Sequence, residues 1–466
     1  MTWALFVLYA VMTAGLALWA GGKNRSASSF AIGSGQMNPW VVGITLGASL
    51  ASSATFVLYP GFVYADGLGA LIGFSVPLIL GLLSGLLLFA PRFQVIGADA
   101  SALTVPHWLG ARYQDLGLRR LFAGLQVLNI AYLVLITVGC AYVMESSLGL
   151  SYHTAVVGII AFVFGYTALG GATAHAFTNT LQGLVMLGVS MTVFASGAHL
   201  WPEAWASLTA AGWTAPGSRL FSTPGEVWGV PFLIGLALTT QPHLLAKALY
   251  VRGRRALMTT ITVGMVTYMM FALMLSAGAY ARLLLPAGTA QDKVVGEYLQ
   301  VAFSGAPLVG AIVTVAILAA SMSTLDGLLV AVAASVGNDV LPGRGSVWVN
   351  RLVLVGLAIA TLAIAWSPPS LVLILGQLGV YGLVAASVGP LLAGMWLTGP
   401  LPRWPAWVSA ILPLIIHFSL ALTIIDNPGI SAIVGMAVGV PVAFIGGLAS
   451  RSLSAPSSAS SQKAAP

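Results

Sequence analysis

The sequence predicts an all-α membrane protein of about thirteen transmembrane helices. Of its 466 residues, 58% are hydrophobic and only 6% are charged, whereas about a quarter of the residues in soluble domains are charged. A helix needs about 20 apolar residues to cross the hydrocarbon core, and runs of that length follow one another along the chain. Little sequence is left for a soluble domain.

The apolar runs define the predicted spans, whose boundaries are loose by about four residues. The spans fall at 2–20, 39–65, 68–90, 121–148, 153–169, 173–200, 229–250, 256–285, 307–336, 349–367, 370–397, 404–424 and 429–449. The first run is interpreted as a retained helix rather than a signal peptide, because its charges, Lys23 and Arg25, follow the apolar stretch.

The positive-inside rule predicts the orientation of these spans. With the N-terminus outside, most basic residues, such as Arg92 and Lys247, fall in inner loops, and only Arg219, Arg282 and Lys293 fall outside. If the first helix ran in the opposite direction, every loop would change sides and most basic residues would fall outside. We therefore expect a multi-pass protein of the cell (inner) membrane with an outer N-terminus and a cytoplasmic C-terminus.

Two predicted spans contain residues that interrupt a helix. The second has ASLASSATF at 48–56 followed by Pro60-Gly61, and the seventh has Gly235 and then TTQPHLLAK at 239–247. Gly and Pro free backbone groups that need other partners in lipid. Since the two interruptions are five helices apart, they suggest a five-plus-five inverted repeat with a binding site near the midplane. Ordinary helix kinks are the alternative.

A second motif lies in the ninth predicted span. In AILAASMSTLD, at 316–326, Ser323 and Thr324 are adjacent hydroxyls, and Ala320 lies one helical turn before Ser323. Sodium is a hard cation that prefers oxygen ligands, as calcium and magnesium do. Free carbonyls of an unwound helix and hydroxyls of its neighbour can form a cage of neutral oxygens. Close packing of small residues is the alternative interpretation.

AILAASMSTLD resembles a signature of the sodium:solute symporter family, which includes proline, pantothenate, monocarboxylate and sugar symporters. Three other stretches, in matching order and spacing, are similar to the same family: SALTVPHWLGARY at 101–113, YTALGGATAHAFTNTLQ at 166–182 and QPH at 241–243. The resemblance runs from about Ser29 to about Pro390. It implies a leucine-transporter-like core of five-plus-five helices in inverted repeat, in which the first and sixth core helices are broken.

This organisation divides the chain as follows. An N-terminal extra helix and inner loop occupy 1–28, the first repeat (core helices 1–5) 29–200, an outer loop and the second repeat (core helices 6–10) 201–397, two C-terminal helices 398–450, and a disordered cytoplasmic tail 451–466. The tail is assigned from its Ser- and Ala-rich composition.

The resemblance also implies a sodium site, with sodium as the coupling ion. Its ligands are the carbonyls of Ala48, Ala51 and Ala320 and the hydroxyls of Ser323 and Thr324. Many members of the family carry acidic residues at the positions of Leu50 and Asn179, and this chain has neither charge. The amide at the second position favours one coupling ion rather than two.

Two titratable residues lie near these motifs. Asp326 is an intramembrane acid, which is a functional candidate by default. We expect it to line the inner exit or to bond the backbone, and it keeps a proton-coupled transporter of the same fold open as an alternative. His243 is expected to be a hydrogen-bonded helix histidine rather than a proton carrier.

The substrate is expected beside the ion, against the two broken spans. The candidate binding residues are Ser52, Ser53, Phe56, Thr239, Gln241 and, if the family arrangement holds, Tyr132 and Gln377. No arginine or lysine is predicted at the midplane, which argues against a dianion as the substrate. A small carboxylate or an amino acid is favoured, and a sugar or polyol is the alternative.

The resemblance thus implies a secondary active transporter that couples inward sodium flow to the uptake of a small organic solute by alternating access. A membrane sensor or receptor domain is a rival, against which the short tail argues. An enzyme is not expected, because HExxH, GxSxG and paired carboxylates are missing. The lone Cys140 excludes a disulfide and a cysteine metal site. Expected partners are sodium, the solute and the bilayer, with no nucleic acid and no obligate protein partner.

Overall fold

The structure is a computed structural model that describes residues 1–21, 36–52, 54–210, 212–340, 347–369 and 371–454. These ranges form an all-helical bundle without β-strands. Lys23 and Arg25 of the predicted first inner loop lie outside the described residues, as does the end of the predicted tail. The last helix continues to Ser454, so the start of that tail is helical rather than disordered.

Helices make up most of the described chain. In the N-terminal half they are α1 (Thr2–Gly21), α2 (Pro39–Leu50), α3 (Tyr59–Asp66), α4 (Leu68–Phe74), α5 (Val76–Asp99), α6 (Val105–Tyr113), α7 (Leu116–Leu125), α8 (Ile130–Leu148), α9 (Tyr152–Ser196) and α10 (Trp201–Ala210). In the C-terminal half they are α11 (Val230–Leu238), α12 (Pro242–Leu245), α13 (Arg254–Phe271), α14 (Ser276–Leu284), α15 (Val294–Ala302), α16 (Pro307–Ser335), α17 (Val347–Ala365), α18 (Val372–Trp396), α19 (Arg403–Thr423) and α20 (Pro428–Ser454).

Short tighter or wider turns continue several of these helices. The π-helical turns are Ala54–Leu58, Gly225–Gly229 and Val336–Val340. The 3₁₀ turns are Gln126–Asn129, Ala198–Leu200, Ala246–Leu249, Ala272–Leu275 and Gln291–Lys293. Both kinds are common at helix ends and bends.

The described residues contain 10 helices that are long and apolar enough to cross a membrane, or up to 12 if each of two bent pairs forms one span. The expected number of thirteen is not confirmed, because reaching it requires the shorter apolar segment Tyr152–Ala168. Helical backbone continues from Tyr152 to Ser196, but its apolar part divides into Tyr152–Ala168 and Phe177–Ser196. These two segments lie where the fifth and sixth spans were predicted, at 153–169 and 173–200.

The two predicted interruptions are present as bends. At the first bend, the segments Pro39–Leu50 and Ala54–Asp66 are inclined to each other by 54°. At the second, the segments Gly225–Leu238 and Pro242–Leu249 are inclined by 59°. At the first bend Ala51 is extended, with φ −94° and ψ 125°. At the second, Gln241 has ψ 133°, as expected for a residue that precedes proline.

The packing of the two broken helices follows the inverted repeat. The first half of the first broken helix, α2, packs against α13, and the first half of the second, α11, packs against α5. If the two repeats are exchanged, the first pair becomes the second, because α5 and α13 are the long helices that come next in the chain after the two broken helices. The pairs α9 with α16 and α18 with α8 correspond in the same way. The chain therefore has a five-plus-five core.

Glycines bring the paired helices close together. A β-carbon on Gly81 of α5 would lie 2.1 Å from the carbonyl oxygen of Phe232, and one on Gly235 of α11 would lie 2.6 Å from that of Leu78. In the corresponding pair, a β-carbon on Gly47 of α2 would lie 2.7 Å from the carbonyl oxygen of Gly264. Small residues at such interfaces allow the van der Waals contact that holds helices together in lipid.

We predict that Gly81→Ala destabilises the protein by about 1–3 kcal/mol, because the added methyl group meets backbone that must move. Gly188→Ala is the matched control: Gly188 is on α9, and a β-carbon there meets nothing within 4 Å. Thermal unfolding in detergent should show a lower midpoint for Gly81→Ala and an unchanged or slightly raised midpoint for Gly188→Ala. Equal midpoints would contradict the described packing of α5 on α11.

Candidate functional site

The first break leaves backbone carbonyls without helical donors. The last helical hydrogen bond of α2 runs from the N–H of Ala51 to the carbonyl of Gly47, at 3.2 Å, and helical bonding resumes with Phe56 N–H to Ser52 O at 3.0 Å. The carbonyls of the final turn, including that of Ala48, therefore lack the donors that a continuing helix would supply. Such groups are costly in an apolar interior unless a polar partner reaches them.

The hydroxyl pair of α16 lies against this break. Thr324 Oγ1 donates to the carbonyl oxygen of Ala51 at 2.7 Å, and Ser323 Oγ donates to that of Ala320 at 2.7 Å. Ala51, Ala320, Ser323 and Thr324 are all fully buried. The structure thus brings four of the five predicted ion-site residues into one junction between α2 and α16.

The fifth residue, Ala48, is one turn earlier on α2 and is also fully buried. Its side chain faces Gly183 of α9, where a β-carbon would lie 3.3 Å from the β-carbon of Ala48. The junction is thus enclosed by α2, α9 and α16. Its chemistry is that of neutral oxygens, and the described residues contain no group of three or more His, Cys, Asp or Glu able to hold a metal ion.

Asn179 of α9 bonds to α2 beside this junction. Its Nδ2 donates to the carbonyl oxygen of Thr45 and to Ser49 Oγ, both at 3.1 Å, and the side chain is fully buried. A carboxylate cannot donate these two hydrogen bonds. The amide therefore ties α9 to α2 without bringing a charge to the junction.

A central cavity of about 60 Å³ lies between the two breaks. Its polar lining includes the predicted residues Tyr132, Gln241 and Gln377. Ser52 is buried just behind it and accepts a hydrogen bond from the Tyr132 hydroxyl at 3.0 Å. Ser53 lies outside the described residues, so the structure does not place it.

The remaining two predicted substrate residues lie away from the cavity wall. Phe56 packs edge-on against Phe271, with ring centroids 5.5 Å apart. Thr239 is buried against Gly85, and its hydroxyl donates to the carbonyl of Leu236 at 2.7 Å. Both residues therefore support the bends rather than face the cavity.

Several polar atoms of residues that line the cavity lack a hydrogen-bond partner among the described residues. They are the Oε1 oxygens of Gln241 and Gln377 and the Nδ1 nitrogen of His243. Gln241 uses its amide nitrogen to donate to the carbonyl oxygen of Val380 at 3.1 Å. Buried polar atoms in native proteins nearly always have partners, so unpaired atoms on a cavity wall mark where a ligand can bind.

The sequence did not predict the aromatic part of this wall. Tyr59, Tyr268 and Tyr381 line the cavity from three separate helical segments. These tyrosines are far apart in the sequence and belong to no common motif. They meet only when the helices pack into the bundle. His243 was expected to be bonded within its helix, but its Nδ1 has no partner in the described part of the chain.

A buried network of titratable groups lies between α16 and α9, one helical turn beyond Ser323. Asp326 Oδ1 lies 2.9 Å from His175 Nδ1, and the Tyr166 hydroxyl donates to Asp326 Oδ2 at 3.0 Å. His175 Nε2 lies 3.3 Å from Lys247 Nζ. Asp326 therefore bonds side chains rather than backbone. Lys247 was assigned to an inner loop, but it is only 2% exposed, and the turn that carries it, Ala246–Leu249, packs against α5.

Comparison with known proteins agrees with this architecture. Residues 30–397 match the model of the sodium:solute symporter family. A sodium/proline symporter of Staphylococcus aureus is 26% identical over 397 residues, covering 80% of this chain and 76% of the relative. Other sodium/proline symporters of that species, such as that of strain Newman, are similarly 26% identical over 371 residues.

Two solved structures share the fold. A sodium-coupled sialic acid symporter in a substrate-bound, outward-open state superposes with a TM-score of 0.77 at 18% identity, covering 96% of this chain and 98% of that one. A nucleobase-cation-symport-1 family transporter, in a closed conformation, superposes with a TM-score of 0.57 at 14% identity, covering 88% and 91%.

These matches are to membrane transporters and not to enzymes. Sodium is the coupling ion, and the partners of the chain include a small-molecule solute. The family match extends over most of the sequence and includes both broken helices and the hydroxyl pair of α16. The chain is a multi-pass membrane protein that couples sodium to solute uptake, and it belongs to the sodium:solute symporter family.

Proposed function

We propose that this transporter takes up a small amino acid or a related small carboxylate together with one sodium ion. The ion is held by the carbonyls of Ala48, Ala51 and Ala320 and the hydroxyls of Ser323 and Thr324. The observation that carries this proposal is the hydrogen bond from Thr324 to Ala51, which places a hydroxyl of α16 on a carbonyl freed by the break after α2.

Oxygen chemistry supports this ion site. A hydroxyl that donates to a carbonyl still has lone pairs that can face a cation. The carbonyls at the end of α2 provide further oxygens at the negative end of a helix dipole, which favours a cation. Since the ligands are neutral, a bound sodium ion keeps its positive charge, and that charge can attract the carboxylate of a solute in the neighbouring cavity.

The polar atoms of the central cavity favour an amino acid over a sugar. The unpaired Oε1 oxygens of Gln241 and Gln377 are acceptors, so they suit the N–H groups of an ammonium. Most other lining residues are apolar or tyrosine, such as Leu135 and Tyr268, and suit a small hydrocarbon side chain. The similar proteins named sodium/proline symporters support the same class of solute.

The distribution of basic residues supports an N-terminus outside and a C-terminus in the cytoplasm, in the cell (inner) membrane.

The mechanism follows from the position of the ion site. Sodium joins α2 to α16 and so favours the state in which the cavity is assembled and open to the outside. The lower sodium concentration inside then favours release after the two halves have rocked.

We predict that Thr324→Val and Ser323→Ala each raise the sodium concentration for half-maximal uptake about tenfold or more, since each removes one oxygen ligand worth at least about 1.4 kcal/mol. Ser321→Ala is the matched control, because the buried Ser321 hydroxyl donates to Ile317 within the same helix, at 3.2 Å. The measurement is uptake of labelled proline into proteoliposomes over a range of sodium gradients. Equal sodium dependence in all three variants would refute the site.

We also predict that one positive charge enters with each zwitterionic solute. The amide of Asn179 brings no charge to the junction, so a second sodium ion would lack an acidic ligand there. Simultaneous measurement of current and labelled solute in proteoliposomes gives the ratio. A ratio of two charges per solute would overturn the proposed stoichiometry.

Both ends of an amino acid should be recognised. Prolinamide, which lacks the carboxylate, and N-acetylproline, which lacks the ammonium, should each compete with labelled proline about tenfold more weakly than proline itself, because each loses a charge-assisted hydrogen bond. Labelled glucose tests the sugar alternative in the same proteoliposomes. Sodium-driven uptake of glucose without uptake of proline would show that the proposed solute class is wrong.

A further inference from the structure

Three cavities follow one another through the bundle. The central cavity shares Tyr59, Gln377 and Tyr381 with a cavity lined further out by Glu226. On the opposite side an inner cavity of about 20 Å³ begins. His243 lines both the central and the inner cavity, so it forms the wall between them.

The inner cavity has a basic lining. His175, His243 and Lys247 contribute to its wall, and they are 4%, 7% and 2% exposed. Thr104 and Ser335 add two hydroxyl-bearing residues, and the remaining lining is mainly apolar. Histidine and lysine side chains are rarely buried so deeply without a partner for each polar atom.

Two of these side chains have unused hydrogen-bonding capacity. An ammonium has three N–H donors, and among the described residues Lys247 Nζ makes one hydrogen bond, to His175 Nε2 at 3.3 Å. His243 Nδ1 has no partner in the same part of the chain. The donors of Lys247 and the ring of His243 therefore meet at one small cavity.

The compensating carboxylate lies behind this wall. Asp326 contacts the far nitrogen of His175, at 2.9 Å, and also the hydroxyls of Tyr166 and Thr178. It is not part of the cavity lining. The negative charge is thus separated from the cavity by an imidazole ring, whereas the positive charge of Lys247 faces the cavity.

We propose that the inner cavity is a second binding site, which takes the carboxylate group of a small organic anion. Lys247 Nζ supplies the charge and a donor, and His243 supplies a second contact from the wall of the central cavity. A carboxylate fits better than a phosphate, because the cavity is small and no arginine fork lines it.

In the transport cycle this site would receive the carboxylate of the solute as it leaves the central cavity. Thr104, at the end of the chain segment that enters α6, lines the cavity on the side that we propose to be cytoplasmic. The assignment of the solute's carboxylate to this site rests on the proposed function. The affinity of the site for a carboxylate rests only on the lining of the cavity.

The test uses propionate as the anion and propionamide as a neutral analogue of similar shape. In the purified protein, propionate should raise the thermal unfolding midpoint, and propionamide should not. A cysteine localises the effect: Ala331→Cys, on the lining of the inner cavity, is introduced into a Cys140→Ser background, since Cys140 is the sole cysteine. Propionate at ten times its dissociation constant should slow alkylation of Cys at 331 about tenfold.

Removal of the lysine charge should abolish both effects. Lys247→Met alone leaves Asp326 buried without its cation, which is strongly destabilising. The double variant Lys247→Met/Asp326→Asn removes both charges and is the one to test, while Lys247→Arg keeps the positive charge. We expect propionate to act on the parent and on Lys247→Arg, and not on the double variant.

The outcomes separate the two proposals. The anion site would be overturned if propionate had no effect on the parent by either readout, or if it had an equal effect on the double variant. Proline uptake is measured separately: failure of uptake with intact propionate binding would overturn the proposed solute and leave the inner site standing.

Discussion

The lipid interior provides no water to satisfy a broken helix, and this constraint shapes the whole site. Where α2 stops, its last carbonyls must find donors or cations inside the protein. One of them, at Ala51, accepts a hydrogen bond from Thr324 at 2.7 Å. The hydroxyl that α16 brings to the break therefore stabilises it. Any movement of α2 relative to α16 must change the partners of these oxygens. An ion bound at the proposed site would therefore influence the conformation of the bundle.

The packing around the breaks makes them part of one mechanical unit. Gly47 and Gly235 lie in the first halves of the two broken helices, and each allows its helix to approach the backbone of a partner. The two half-helices thus move with α13 and α5 rather than alone. A rigid group of four helices around two bends fits a transporter in which one bundle rocks against another.

The sequence predicted those features that depend on neighbouring residues. Pro242 and the small residues around Ala51 weaken a helix locally, so both bends could be located before the structure was known. The hydroxyl pair of α16 was found because its two residues are adjacent. Lys247 could not be placed in the same way, because its burial depends on how the turn after α12 packs on α5 and on the contact of the lysine with His175 of α9. The tyrosines of the cavity wall come from distant segments, and only tertiary structure assembles them.

The amide of Asn179 has a consequence for energetics in the cell. With one sodium ion per cycle, a membrane potential of about 100 mV contributes about 2.3 kcal/mol, and a tenfold sodium gradient contributes about 1.4 kcal/mol. The sum limits accumulation of a neutral solute to roughly 500-fold. A carboxylate at this position that recruited a second ion would square that ratio, at twice the expenditure of sodium. Under the proposed stoichiometry of one sodium ion per cycle, the neutral side chain that ties α9 to α2 therefore favours economical uptake from a moderately rich medium over scavenging at extreme dilution.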